Sequence, residues 1–272
     1  EMPNAYILKA VRTPGCRAKR GKFANVRPDH LATVALKDLL HRTQVAPEQI
    51  EDVILGCSFP EAEQGMNVGR MVALNSGLPY TVPGQTVNRF CSSGLQSISM
   101  AAERIMAGFA DCIVAGGTES MTMVPMGGNK FSSNPDLVAH WPAAYASMGI
   151  TAENVAEQFE ISREDQDSFG LQSNERALQA IEAGKFQEEI VPVEVERTRV
   201  TKDELVKDTE VVDIDDGPRR TTLEKMAKLK SPFKAGGSVT AGNSSQMTDG
   251  AAVTLMVSED FLNKLGQDPM AR

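Results

Sequence analysis

The segment Val87-Asn88-Arg89-Phe90-Cys91-Ser92-Ser93-Gly94-Leu95-Gln96-Ser97 joins a short extended run to a long stretch with helical spacing. Its single cysteine, Cys91, therefore falls at the first turn of the predicted helix. Unpaired backbone N–H groups and the positive end of a helix dipole favour a thiolate over a thiol there. A thiolate is the nucleophile that acyl chemistry needs, whereas most free cysteines are small buried residues. The spacing alone leaves both interpretations of Cys91 open.

The stretch 92–110 predicts a helix that leads into a strand. Apolar and small residues recur there with i, i+3, i+4 spacing, and the polar residues are mostly small, with Glu103 and Arg104 as exceptions. A helix with so few large polar groups is expected to be buried on nearly every side. It runs into a short apolar strand at 111–116 that ends in glycines.

The rest of the first 120 residues alternates short apolar strands with helices. Further strands are predicted at 4–11, 53–57 and 85–89. One helix is expected to follow Asp29 as its N-cap, and another covers 65–75. This alternation predicts an α/β fold, with a mostly parallel sheet covered on both faces.

The pattern breaks after Met121. Residues 121–142 are rich in Pro and Gly, 151–183 have strong helical spacing, 189–197 read as a strand, and 198–238 are charged and loop-rich. A buried-strand pattern returns only at 251–257. The simplest account is an α/β domain made of 1–120 and 248–272, interrupted by an inserted subdomain at 121–247.

Composition excludes several classes of function. The net charge of −8 argues against a nucleic-acid surface, and no apolar run is long enough for a membrane span. The four cysteines form no C-x-x-C pair and lack His partners at metal-ligand spacing. They predict a reducing compartment and no metal site.

Charge is unevenly distributed along the predicted insert. Acidic residues dominate 203–216, and basic residues dominate 219–234. Charge runs are usually solvated helix faces. The basic run also fits a local patch that guides a polyanionic ligand to an otherwise acidic protein.

Three ordered blocks resemble the signatures of thiolases, enzymes that make or break 3-ketoacyl-CoA. They are Cys-Ser-Ser-Gly-Leu-Gln-Ser at 91–97, Ala-Gly-Gly-Thr-Glu-Ser-Met at 115–121, and Thr-Ala-Gly-Asn-Ser-Ser-Gln-Met-Thr-Asp-Gly-Ala-Ala at 240–252. The resemblance covers essentially the whole chain. It implies a layered α/β/α half with an inserted α/β loop subdomain that covers bound coenzyme A. It also implies an acyltransferase in which Cys91 becomes acylated.

The resemblance also draws attention to motifs that these 272 residues do not contain. Thiolases have two α/β halves of like fold, and the second carries Asn-Glu-Ala-Phe, Gly-His-Pro and Cys-x-Gly motifs. In the family, that His activates the nucleophile and that Cys is the acid/base. None of His30, His41 and His140 has Gly-His-Pro surroundings. The C-terminal half is therefore expected to be absent, and the isolated chain is expected to have little or no turnover.

Five positions match coenzyme-binding residues of the family. Met148 matches a pantetheine contact, and Phe233 matches an adenine or pantetheine contact. Ala241 and Ser245 match contacts to the pantetheine amides. Arg219 is the nearest match to an Arg at the nucleotide, although its alignment is off by about one residue. Packing inside the insert, or a plain glycine turn, is the alternative explanation for these residues.

Local details favour one branch of the family. The chain has Ser147-Met148-Gly149 where biosynthetic thiolases often have His-Met-Gly, and it has a short insert at 125–130. Both are typical of degradative 3-ketoacyl-CoA thiolases of fatty-acid β-oxidation. The alternatives are an acetoacetyl-CoA thiolase, or a non-catalytic half that binds coenzyme A or a complementary chain. The resemblance implies a homodimer or tetramer, and the reducing compartment predicted from the cysteines indicates a cytoplasmic protein.

Overall fold

A computed structural model describes residues 3–200 and 204–272 of the chain. The chain forms two compact units. The first, here called the sheet unit, consists of Glu1–Asn129, Phe186–Asp216 and Thr248–Arg272. The second, here called the helix unit, consists of Lys130–Lys185 and Gly217–Met247.

The regular elements follow one another with few long connections. The strands are β1 (Ala5–Arg12), β2 (Cys16–Arg17), β3 (Asp52–Gly56), β4 (Gly84–Val87), β5 (Cys112–Glu119), β6 (Val193–Val200), β7 (Leu205–Val212) and β8 (Thr248–Ser258). The helices are α1 (Pro28–Thr43), α2 (Val68–Asn75), α3 (Ser93–Met106), α4 (Pro135–His140), α5 (Met148–Gln158), α6 (Arg163–Glu182), α7 (Leu223–Ala227) and α8 (Glu259–Leu265). None of the helices within 3–200 and 204–272 is both long and apolar enough to cross a membrane.

The main sheet is mixed, so the prediction of a mostly parallel sheet is wrong. Its strand order is β1-β8-β5-β3-β4, and β2 pairs with the beginning of β8. β3 is parallel to β4 and β5, but β8 is antiparallel to both β1 and β5. Only strands joined by a helical crossover are constrained to run parallel. The chain reaches β8 through the helix unit and not through a single crossover helix, so this constraint does not apply to β8.

Helices cover both faces of this sheet, which confirms the predicted layered α/β/α architecture. Because strand side chains alternate between faces, neighbouring residues enter different cores. Val53 and Leu55 of β3 join the core that contains α1 and α2, whereas Ile54 joins the core that contains α3. β5 alternates in the same way, with Val114 on the first face and Ile113 on the second.

Two helix boundaries differ from the predicted ones. α1 begins at Pro28 with Arg27 as its N-cap, and Asp29 lies in the first turn instead of capping the helix. Proline suits this first position because its fixed φ is helical and its missing N–H would have no partner there. The helical stretch predicted at 151–183 is two helices, α5 and α6, separated where Glu160 takes a left-handed φ of 53°.

The segment 186–216 belongs to the sheet unit, although the sequence pattern assigned it to the insert. Much of it is an antiparallel hairpin of β6 and β7, in place of a charged loop. Val193, Val195 and Val212 enter the core beside α1 and α2, which explains its attachment. Asp203, part of the predicted acidic run, lies outside the described residues. The predicted domain boundaries at 121–247 stay a prediction.

Arg12, the last residue of β1, anchors both ends of this segment. Its guanidinium binds Asp215 through two bonds of 2.7 and 3.0 Å and binds Glu189 at 2.7 Å. The same group lies 5.3 Å from the centre of the Phe186 ring. A planar, permanently charged guanidinium suits such a shared, bidentate role.

α3 is half-buried, so the prediction of burial on nearly every side is wrong. Its inner stripe is buried on the sheet at Ser93, Ser97, Ala101 and Ile105. Its opposite side is open within the described chain, where Leu95 is 71% exposed. Small residues along the inner stripe bring the helix close to the strands below it.

The first turn of α3 touches the backbone of β3. A Cβ atom added at Gly56 would lie only 2.4 Å from the carbonyl carbon of Ser93. Deeper in the helix, Ser97 Oγ donates to the carbonyl of Gly116 at 2.7 Å and accepts from its N–H at 2.9 Å. Glycine at position 56 and serine at position 97 thus fix the height of α3 above the sheet.

The close contact predicts that Gly56→Ala destabilises the protein. The added methyl group must displace the start of α3, at a cost of about 2 to 3 kcal/mol typical of overpacking. Gly94→Ala is the matched control, because a Cβ there meets nothing within 4 Å. It is expected to cost nothing and to gain up to about 1 kcal/mol from helix propensity. Denaturant unfolding of both variants checks this, and equal stabilities would contradict the close-packing account.

Candidate active site

Cys91 differs from the other cysteines in its exposure. Cys16, Cys57 and Cys112 are buried, whereas Cys91 is exposed in the turn between β4 and α3. Burial raises the pKa of each of the three buried thiols to about 12, and nearby carboxylates add to that rise. Since the thiolate is the reactive form, these three are chemically inert in the folded chain. Cys91 is one residue before the N-cap Ser92 of α3.

The turn before Cys91 has an unusual backbone. Phe90 takes a left-handed φ of 45°, which costs a non-glycine residue about 1 to 2 kcal/mol. Its N–H donates to Asn88 Oδ1 at 2.9 Å, and its carbonyl accepts from Ser93 Oγ at 2.6 Å. Ser93 Oγ also accepts the N–H of Arg89 at 2.8 Å. Side chains on both sides of Cys91 therefore stabilise the strained turn.

The loop after β3 supports the same turn from outside. Asn88 Nδ2 donates to the carbonyl of Ser58 at 2.9 Å. The rings of Phe59 and Phe90 lie 6.2 Å apart at an angle of 52°, a favourable tilted arrangement. Asn88 thus hydrogen-bonds within its own turn and to the neighbouring loop.

Glu119, at the end of β5, holds that loop in place. Its carboxylate accepts the N–H of Ser58 at 2.7 Å and the side-chain amide of Gln64 at 2.7 Å. Gln64 in turn accepts the N–H of Ser120 at 2.6 Å. Glu119 lies within the family motif at 115–121, but the sequence pattern predicts no role for it. The available signal was a lone carboxylate at the end of a buried strand.

In the helix unit, two of the predicted coenzyme residues lie close together. Met148 is the first residue of α5 and is 59% exposed. The ring of Phe233 lies against the next residue, Gly149, where an added Cβ would come within 2.1 Å of the ring. Phe233 remains 40% exposed. Met148 and Phe233 are therefore two exposed apolar residues near the beginning of α5, and Gly149 is the residue on which the Phe233 ring packs.

A buried carboxylate fixes the loop that carries Phe233. Glu153 of α5 accepts hydrogen bonds from Ser231 Oγ at 2.8 Å and from the N–H groups of Ser238 and Val239 at 3.0 and 2.9 Å. Desolvation raises the pKa of Glu153, but these hydrogen bonds outweigh it and lower the pKa below the ordinary 4.5. Glu153 therefore stays ionised and holds the segment 231–239.

A second buried carboxylate holds the turn that carries Ala241. Asp167 of α6 accepts from Asn243 Nδ2 at 2.8 Å, and Asn243 Oδ1 accepts the N–H of Thr240 at 2.7 Å. Ala241 and Ser245 are both exposed on this segment. The turn is an ordered platform with two of the predicted contact residues facing solvent.

The helix unit has exposed cations in the segment that follows the β6–β7 hairpin of the sheet unit. Lys225, Lys228 and Lys230 are exposed and make no ion pair among the described residues. Arg219 is also exposed, and its backbone N–H donates to Asn174 at 3.1 Å. Arg220 and Lys234 of the same run are paired with Glu182 and Glu157. The anion patch stays a prediction.

The histidines and potential metal ligands are dispersed. His30 and His41 lie on α1 and His140 ends α4, and all three are exposed. Across the described residues, no three His, Cys, Asp or Glu side chains converge as a metal site requires. The predicted independence of metal stays a prediction.

Thiol burial predicts a simple alkylation pattern. Iodoacetamide is expected to add one group to the native protein, at Cys91, and four groups after denaturation, because the other three thiols are buried and protonated. Cys91→Ala should take up none when native. Intact mass spectrometry reads the count, and a second adduct on the native protein would contradict the burial described above.

Glu153→Gln is expected to destabilise the chain by about 2 kcal/mol near neutral pH, because it weakens charged hydrogen bonds in a buried place. The pKa of Glu153 is lowered on folding, so its contribution is complete above 4.5 and is lost as the pH falls through the folded pKa. The gap between wild type and variant should therefore narrow below pH 4.5. Glu157→Gln, an exposed change on the same helix, is the control and should have little effect. Thermal unfolding near neutral pH and below pH 4.5 tests this. An equal difference in stability between wild type and Glu153→Gln at the two pH values would contradict it.

Comparison with known proteins agrees with the geometry. Residues 5–260 match the thiolase N-terminal domain family. The chain is 46% identical to a 3-ketoacyl-CoA thiolase of Bacillus subtilis, covering all of this chain and 70% of that protein. It is 41% identical to the peroxisomal 3-ketoacyl-CoA thiolase 1 of Arabidopsis thaliana, and the match covers 97% of this chain and 59% of that protein. A crystal structure of the Bacillus anthracis acetyl-CoA acetyltransferase superposes with a TM-score of 0.84 at 38% identity. The match covers 98% of this chain and 68% of that chain. The chain therefore belongs to the thiolase family, as its sequence motifs predict.

Proposed function

We propose that the chain is a CoA-dependent acyltransferase that cleaves 3-ketoacyl-CoA into acetyl-CoA and a shortened acyl-CoA, with Cys91 as the nucleophile. The observation that carries this proposal is the exposed thiol of Cys91, which lies in a hydrogen-bonded turn at the amino end of α3. The other three thiols are buried, which leaves Cys91 as the candidate for covalent chemistry. The family match supports the reaction class.

The proposed reaction passes through an acyl-enzyme. The Cys91 thiolate attacks the carbonyl carbon at position 3, and the bond between C2 and C3 breaks. The electron pair of that bond stays on C2 of acetyl-CoA, which takes up a proton. A second coenzyme A thiol then loses its proton, attacks the acyl thioester and restores the thiolate. The backbone N–H of Cys91 is proposed to donate to the thioester oxygen, as preorganised donors do.

Acid/base groups limit the proposed rate. The resemblance assigns these roles to a His and a second Cys in motifs that the 272 residues lack. A thiol without a paired base is poorly activated. We therefore propose that this chain by itself accepts acyl groups slowly and has little or no turnover.

Coenzyme A recognition is assigned to the helix unit. The exposed apolar side chains of Met148 and Phe233 are proposed to contact the pantetheine arm or adenine, and Ala241 and Ser245 are proposed to contact the pantetheine amides. Arg219 and the exposed lysines are proposed to attract the phosphates, since basic patches on acidic proteins steer anions. Support comes from the exposure of Phe233 and Ala241 on segments that Glu153 and Asp167 hold in place.

The proposed substrate is a longer 3-ketoacyl-CoA of fatty-acid β-oxidation. The names of the Bacillus subtilis and Arabidopsis thaliana relatives support this choice. The alternative is an acetoacetyl-CoA thiolase, which the name of the Bacillus anthracis structure favours. The four unpaired cysteines support a reducing, cytoplasmic setting. A homodimer or tetramer belongs to the same proposal.

An acylation experiment tests the proposal. The chain is incubated separately with acetoacetyl-CoA and with a longer 3-ketoacyl-CoA, and intact mass is compared with a Cys91→Ala control. We expect an acyl adduct on the wild type and none on the control, with the longer substrate giving the greater yield. A greater yield with acetoacetyl-CoA would favour the alternative substrate. No adduct on a folded wild-type chain would contradict the proposal and leave a non-catalytic protein that binds coenzyme A or a complementary chain.

A further inference from the structure

The position of Cys91 depends on the backbone of the residue before it. Phe90 must keep its left-handed φ of 45° for the chain to turn from β4 into α3 with Cys91 exposed. An aromatic residue has no intrinsic preference for this conformation. Contacts outside Phe90 therefore have to hold the residue in this conformation.

Asn88 makes two hydrogen bonds that support this conformation, beside the one that Ser93 Oγ donates to the Phe90 carbonyl. Its Oδ1 accepts the N–H of Phe90, and its Nδ2 donates to the carbonyl of Ser58, both at 2.9 Å. A side-chain amide donates and accepts at once, which a carboxylate cannot do. Asn88 is therefore a bridge between the strained turn and the loop after β3.

The far end of this bridge is attached to the sheet. The N–H of Ser58 donates to Glu119 at 2.7 Å, and Glu119 ends β5. The N–H of Cys57 donates to the carbonyl of Val87 at 3.0 Å, so the loop is also tied to β4. Ser58 is thus a fixed point, and Asn88 transmits its position to Phe90.

We propose that Asn88 is a positioning residue that holds Cys91 at the amino end of α3 by locking the left-handed turn at Phe90 to the loop after β3. This inference rests on the proposed function of Cys91. Asn88 does not touch the reacting atoms; it acts through Phe90. Its effect should therefore disappear when position 90 adopts a positive φ without help.

Glycine at position 90 supplies the decisive comparison, because it populates positive φ freely. The experiment measures, in the full chain, the rate constant for Cys91 alkylation by iodoacetamide and the rate of acyl-adduct formation. Asn88→Ala is expected to lower both about tenfold, the equivalent of about 1.4 kcal/mol. Asn88→Ala combined with Phe90→Gly should lie within about threefold of Phe90→Gly alone. Asn75→Ala, which removes a single hydrogen bond to Thr33, should leave both rates unchanged.

A merely structural role would give a different result. A general structural role would change each rate by the same factor with Phe or Gly at position 90, and that outcome, or an unchanged rate in Asn88→Ala, would overturn the proposal. If Asn88→Ala does not fold, Asn88→Asp decides. Asp at position 88 keeps the acceptor for the N–H of Phe90 but loses the donor to Ser58. We expect this variant to lower both rates by less than Asn88→Ala does, and Phe90→Gly to restore them. Alkylation does not require acyl chemistry, so it tests Asn88 even when no acyl adduct forms and the proposed function fails.

Discussion

The close contact between the first turn of α3 and the backbone of β3 is the constraint on which the site depends. Gly56 leaves no room for a methyl group beneath Ser93, and Ser97 hydrogen-bonds both polar backbone groups of Gly116. These contacts fix the helix start relative to two parallel strands. Cys91 lies two residues before that start, so its place is set by backbone packing, and its exposure follows from the turn that connects β4 to α3.

The sequence predicted those parts of the fold whose signals are local. A change from extended to helical spacing around Cys91 located the turn, and alternating strands and helices predicted the layered architecture. The direction of β8 and the hairpin of β6 and β7 were not predicted, because pairing partners far apart in the chain decide them. The residue type of Asp29 and its place ahead of the apolar helical spacing predicted an N-cap, whereas the helix already begins at Pro28.

The candidate site also has parts that the sequence predicted and parts that it did not. Cys91 stands out by its motif, but the groups that support it act across the chain: Glu119 binds Ser58 over 61 positions, and Glu153 binds Val239 over 86. No spacing rule relates such pairs. For α3 the local signal itself was misleading, because its apolar composition predicted burial on nearly every side, whereas Leu95 is exposed.

The central claim is that Cys91 is the acyl acceptor of this thiolase-family chain. Tandem mass spectrometry of the protein after reaction with a 3-ketoacyl-CoA tests it most directly, because it assigns the acyl group to a residue. The account predicts a thioester on Cys91 that hydroxylamine removes, with Cys16, Cys57 and Cys112 unmodified. An acyl group on any other residue, or one that resists hydroxylamine, would contradict it.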